Sequence, residues 1–202
     1  MKGQIVILNG APRAGKSSIT TEIQNTFEGV WINLGVDCYR PMIPEKYQPG
    51  IGLRPGGERP DLEPIVLTLY KALYESIAAH SRLGINVVAD VGHHDSYSSP
   101  LQILPQCAKI IKNYPVLFVG VKCPLDEIIK RRVDTAYPAY EKDGSISKPI
   151  LRWQESVHLP GIYDIEVDTS VNTPSEIAKL IQKRLNDSNF TAINRLSNKP
   201  LA

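Results

Sequence analysis

An apolar run, Ile5-Val6-Ile7-Leu8, leads straight into Gly10-Ala11-Pro12-Arg13-Ala14-Gly15-Lys16-Ser17, and no other stretch constrains this chain as tightly. Glycine at both ends, followed by lysine and a hydroxyl residue, is the pattern of a phosphate-cradling loop between a strand and a helix. The glycines let the backbone turn so that successive N–H groups converge on phosphate oxygens. The N-terminus of the following helix adds a field that favours anions. Lys16 is then expected at the β- and γ-phosphates, and Ser17 is expected to offer its hydroxyl to Mg2+. With Ser18, residues 10–18 form the expected nucleotide-binding segment, and a nucleoside triphosphate with Mg2+ the expected ligands. The plainer alternative is a glycine-rich turn, but spacing, flanking strand and following helix all agree with the phosphate loop.

The segments that follow alternate in character. Residues 4–9 read as a strand buried on both faces and 16–27 as a helix with Ile19 and Ile23 on one side. Strands are expected over 30–34, 86–90, 115–121 and 162–167. Helices are expected over 62–83, 101–111, 124–133, 149–157 and 173–185. This alternation predicts an α/β fold: three layers, a central parallel sheet of about five strands, and helices on both faces with right-handed crossovers. Residues 1–185 form a single domain in this reading. Residues 186–202 are polar and lack periodicity, and are expected to be a loosely held tail.

The carboxyl ends of parallel strands share one edge, so the phosphate loop, Asp37, Asp90 and the segment after Val121 should meet there. Asp90 closes an apolar strand, as a magnesium-organising carboxylate does; a turn-forming aspartate is the alternative. Asp37 ends the second strand, where a carboxylate can orient an attacking hydroxyl and accept its proton. An Asx turn or a helix N-cap explains that position equally well. Residues 38–64 carry six prolines and four glycines, which excludes long regular elements. This stretch is either a substrate-facing loop or a surface insertion.

Lys130, Arg131, Arg132 and Arg152 flank a polar stretch, 134–148, with the character of a flexible lid. Arginines on a closing lid can stabilise a transferring phosphoryl group, although a basic run is also an ordinary solvated face. On the lid reading Arg132 is the catalytic candidate beside Lys16 and Arg131 the candidate at the nucleotide; on the solvated-face reading neither has a role. His93 and His94 are adjacent on an extended segment and point to opposite sides, so they read as substrate-site lining or a polar turn, not as a zinc site.

With these residues in place, the chain resembles the chloramphenicol phosphotransferase family, relatives of the shikimate and adenylate kinase group of P-loop kinases. The likeness covers residues 4–185. It rests on Ile7-Leu8-Asn9-Gly10 leading to Gly15-Lys16-Ser17, on Gly35-Val36-Asp37, and on the strand ending at Asp90. Val119-Gly120-Val121-Lys122-Cys123 and Tyr163-Asp164-Ile165-Glu166-Val167-Asp168-Thr169 extend it. The resemblance implies transfer of the γ-phosphate of ATP to a hydroxyl, with Asp37 as general base and lid arginines near Arg132. Asp168, Thr169 and Ser170 resemble the loop bordering adenine in such kinases. The proline-rich 38–64 loop and Gly92-His93-His94 depart from the family pattern where the acceptor is selected. The implied acceptor is therefore a small hydroxylated molecule, not chloramphenicol in particular.

Composition narrows the partners. Of 202 residues, 42% are hydrophobic and 22% charged, with a net charge of +2, so no broad polyanion-binding face and no nucleic-acid partner are expected. That balance weighs against a nucleic-acid end kinase, which needs a basic, aromatic-lined channel. A guanine-reading switch has no support, because the only Asn-Lys pair, Asn198-Lys199, is followed by Pro200 and Leu201. A nucleotide binder without catalysis remains as an alternative class. Three cysteines without metal spacing, no membrane-length apolar stretch and no leader-like N-terminus lead to the expectation of a cytoplasmic protein, with a homo-oligomer as an option.

Overall fold

The computed structural model describes residues 1–187 and 189–200. Five parallel strands form one sheet: β1 (Ile5–Asn9), β2 (Trp31–Asn33), β3 (Asn86–Val91), β4 (Val116–Lys122) and β5 (Ile165–Asp168). Their spatial order is β2-β3-β1-β4-β5, with β1 at the centre. Each strand's alternation sends its side chains into two separate cores. Ile5 and Ile7 of β1 join Val87, Ala89 and Phe118 on one face, while Val6 and Leu8 join Val88, Leu117 and Val119 on the other. This explains why the strands read as continuous apolar runs.

The first core is covered by α3 (Glu63–Arg82) and α4 (Ile103–Ile111), the second by α1 (Lys16–Thr26), α5 (Leu125–Asp134), α6 (Lys148–Ser156) and α7 (Pro174–Asp187). Ile19 and Ile23 of α1 and Ile177 and Ile181 of α7 are all fully buried in it, so the apolar side predicted for α1 faces the sheet, and α7 packs there in the same way. The three-layer architecture expected from the alternation is the one observed. Among the described residues, no helix is long and apolar enough to cross a membrane.

Two expectations need correction. Gly35-Val36-Asp37 does not close a strand; it opens a one-turn helix, α2 (Val36–Tyr39), with Asp37 in the first turn. The following loop holds three 3-10 turns and buries Ile43, Ile51 and Leu53 against α3, so it is packed onto the body of the protein.

The expected loose tail, residues 186–202, needs the same correction over residues 189–200; residues 188, 201 and 202 lie outside the described residues. The segment carries α8 (Ala192–Ser197), whose Ala192, Ile193 and Leu196 enter the first core. The Asp164 carboxylate ties it down. Its Oδ1 accepts from the N–H groups of Thr191 (2.8 Å) and Ala192 (3.0 Å), and its Oδ2 accepts from Phe118 N (2.9 Å). A carboxylate at a helix N-terminus satisfies donors that the helix leaves free. With Leu196 fully buried, Leu196→Ala is expected to destabilise the protein by about 2–4 kcal/mol in urea titration. An unchanged unfolding midpoint would mean that α8 contributes nothing.

Candidate functional site

The phosphate loop is built by close packing as well as by turning. Gly10 lies against β4: a methyl group there would come within 2.5 Å of the Val121 carbonyl oxygen. Gly15 takes a left-handed conformation, φ 89°, and starts α1. No acidic side chain sits in the first turn of α1, so its N-terminal field is left for an external anion. Ala11 and Ala14 turn into the second core, while Gly10, Pro12, Arg13, Gly15, Lys16, Ser17 and Ser18 line a cleft of about 1140 Å³.

Lys16 Nζ donates to the carbonyl oxygens of Gly10 (2.8 Å) and Ala11 (2.9 Å). Burial lowers its pKa, while Asp90 and Asp37 pull the other way, so both carboxylates act on this ammonium group. Ser17 Oγ donates to Asp90 Oδ2 at 3.3 Å. Burial raises the Asp90 carboxyl above the usual range, against the attraction of Lys16. A hydroxyl beside a desolvated carboxylate offers the hard oxygen donors that Mg2+ prefers, and a dication there offsets the cost of burying that charge. The two residues therefore fit the metal expected from the sequence.

Asp37, exposed on α2, lines the same cleft. A tight contact couples its turn to β3, because a methyl group on Gly35 would overlap Asp90 Oδ1. Asn9 buttresses the floor. Its Nδ2 donates to Val157 O and Tyr163 Oη, both at 2.8 Å, and its Oδ1 accepts from His93 N at 2.8 Å.

The basic run on α5 divides by direction. Arg131 Nε donates to Glu127 Oε1 (2.9 Å), and its guanidinium reaches Thr169 Oγ1 (3.0 Å) and Thr169 O (2.7 Å). Thr169 Oγ1 in turn donates to Ala14 O at 2.9 Å, so Arg131 braces α5 to the phosphate loop and to the turn after β5. Arg132, only 7% exposed, donates from Nη1 to Pro138 O (2.9 Å) and keeps its Nε without a partner among the described residues. Both arginines line the cleft. Lys130 does not: it is exposed, with its Nζ 4.0 Å from Glu127 Oε2. Arg152 is paired with Glu58 at 2.8 Å.

Thr169 lines the cleft, but the Asp168 side chain is engaged elsewhere. Its Oδ1 accepts from Ser170 N (2.8 Å) and Ser170 Oγ (2.6 Å), forming the turn after β5. The histidines were misplaced by sequence reasoning. Neither lines the cleft; both are buried. His93 Nε2 lies 2.7 Å from Tyr74 Oη, and burial pushes its pKa down to about 3. His94 Nε2 donates to Leu53 O at 3.0 Å and packs edge-on against Trp153. Sequence reasoning also missed Arg40, Arg54, Tyr70 and Trp153, which line the cleft. The two arginines in the 38–64 segment were the available signal.

The chain is similar in sequence and in fold to several known proteins. The family described as chloramphenicol phosphotransferase-like protein matches residues 3–186. A candidate O-phosphotransferase of Mycobacterium tuberculosis (strain ATCC 25618 / H37Rv) is 22% identical over 218 aligned residues, spanning 100% of this chain and 91% of that protein. Among solved structures, the Mycobacterium tuberculosis APS kinase CysC in complex with AMPPNP and APS aligns with a TM-score of 0.60 at 14% identity. The alignment covers 92% of this chain and 98% of that one. Shikimate kinase from Acinetobacter baumannii in complex with shikimate aligns at 0.59 with 11% identity, covering 93% and 95%. At such identities the structural likeness shows the P-loop kinase fold.

Proposed function

Because the chain belongs to the chloramphenicol phosphotransferase-like family, we propose that it is a small-molecule kinase that transfers the γ-phosphate of ATP to an alcohol hydroxyl. The observation that carries this reading is the meeting of Lys16, Ser17, Asp90 and Asp37 in one cleft. Residues 10–18 hold the phosphates through backbone N–H groups, and Lys16 leaves the carbonyls of Gly10 and Ala11 for the β- and γ-phosphate oxygens. Ser17 and Asp90 would hold Mg2+, which when bound neutralises part of the phosphate charge.

Asp37 orients the acceptor hydroxyl and takes its proton as the oxygen attacks the γ-phosphorus. The bond between that phosphorus and the β–γ bridging oxygen breaks, and ADP leaves. Arg132, which lines the cleft, meets the charge spread over the transferring group, while Arg131 and Thr169 border the nucleotide. Asp168 acts in this scheme by shaping the turn that presents Thr169.

An ADP-release screen over hydroxylated antibiotics and metabolites, with phosphorus NMR of the products, tests the reading. Turnover that depends on the acceptor and stops when magnesium is chelated is expected. Tight AMPPNP binding without turnover of any hydroxylated compound would point instead to a nucleotide-binding protein without catalysis.

A further inference from the structure

Six cationic side chains, Arg13, Lys16, Arg40, Arg54, Arg131 and Arg132, line the cleft against two carboxylates, Asp37 and Asp90. The phosphate loop and α5 supply four of the six. Arg40 and Arg54 come from the opposite wall, the segment that also carries Asp37, and neither has an ion-pair partner among the described residues. The Arg40 side chain donates from Nε to Gln48 Oε1 at 3.3 Å, and the Arg54 side chain makes no hydrogen bond among them.

The backbone that presents Arg54 is anchored. Leu53 and Pro55 on either side are buried. Leu53 O accepts from His94, Gly56 N donates to Ser96 O at 2.7 Å, and Glu58 is paired with Arg152 of α6. Gly56 also lies so close to the Arg152 guanidinium that a methyl group there would overlap it. A guanidinium aimed into a cleft from such a fixed loop is pre-organised for a planar anion. It is also poorly suited to a neutral ligand, which would cover the positive charge without pairing it. Beside the two arginines, Ile51, Tyr70 and Trp153 give the wall an apolar face. Arg132 adds to the argument: burial, together with Arg13 and Arg54, lowers its pKa against the pull of Tyr137, and an anion between these guanidinium groups relieves the repulsion.

We propose that the acceptor is an anionic alcohol, a small hydroxylated molecule whose carboxylate, sulfate or phosphate group pairs with Arg40 and Arg54. Its hydroxyl faces Asp37 and its body lies on Ile51, Tyr70 and Trp153. This assignment rests on the kinase reading above and names the acceptor class for the same site.

Matched pairs of hydroxylated compounds test it: aromatic, alicyclic and sugar-derived hydroxy acids, each against its primary amide, with sulfate and phosphate esters as parallel arms. The acids or esters are expected to be turned over at least about tenfold better than the amides, and the arms tell carboxylate from sulfate or phosphate. Arg40→Gln and Arg54→Gln, both at exposed positions, should raise the acceptor KM about tenfold or more and leave the KM for ATP unchanged, with Arg54→Lys recovering part of the loss. Equal turnover of acids and amides overturns the proposal, as does a rise in the ATP KM in place of the acceptor KM, or no use of any anionic alcohol. Failure of the wild-type protein to bind AMPPNP removes the kinase reading separately. Calorimetric titration of acid against amide without nucleotide, in wild type and in the Arg40→Gln/Arg54→Gln double variant, then still decides the anion site.

Discussion

Asp37→Asn is expected to lower turnover by about two to four orders of magnitude while leaving AMPPNP affinity within about a factor of two. The substitution keeps the size of the side chain and its capacity to hydrogen-bond a hydroxyl. It removes the negative charge, which also acts on Lys16 and Asp90, and with it the ability to take up a proton. Asp37 stands exposed to the cleft on α2, with no hydrogen-bond or ion-pair partner among the described residues, so the exchange leaves no buried group unpaired. Folding should be unaffected. Steady-state kinetics against any accepted alcohol, together with AMPPNP calorimetry, checks both halves. Unchanged turnover would remove Asp37 from the mechanism, and a large loss of nucleotide affinity would move it to the donor side.

Gly35→Ala is expected to cost about a hundredfold in turnover and to raise the magnesium concentration needed for half-maximal rate. Gly35 has φ −92° and ψ 179°, extended backbone that any residue adopts, so conformation does not demand glycine here. Space does. The added methyl would overlap the Asp90 carboxylate, forcing Asp90 away from Ser17 or α2 away from the cleft. Overpacking of this kind also destabilises by about 1–3 kcal/mol. In an Asp90→Ala background the overlap with the carboxylate is gone, and only the backbone carbonyl oxygen of residue 90, 2.8 Å from the methyl, still crowds it, so part of the stability penalty should be relieved, the signature of direct coupling in a double-mutant cycle. Full activity with unchanged stability in the single variant would show that the contact is easily relieved.

The Gly35 contact also explains part of the motif pattern. Gly-Val-Asp and the strand-end Asp90 are 55 positions apart in sequence, yet one exists in the form it does because of the other. The same holds for Tyr163-Asp164: the Tyr163 ring packs on Gly120, where a methyl group would come within 2.7 Å of it, and Asp164 anchors both β4 and α8. These motifs were legible as residues, but their reasons lie in contacts between distant segments.

What the sequence determined by itself was the glycine-rich loop between β1 and α1 and the α/β alternation. Both are local: the loop is a contiguous run, and strand and helix periods repeat within a few residues. Tertiary structure decided the rest. It brought Arg131 and Arg132 to the cleft with different partners, Thr169 and Pro138, and left the neighbouring Lys130 out of it, because successive residues on a helix point about 100° apart. It drew α8 into the core through three apolar side chains, too few to register as periodicity. It buried the two histidines and brought Arg40 and Arg54 to face the phosphate loop. Which side chains share a cleft depends on long-range packing of the two cores around β1, and no short window of sequence carries that information.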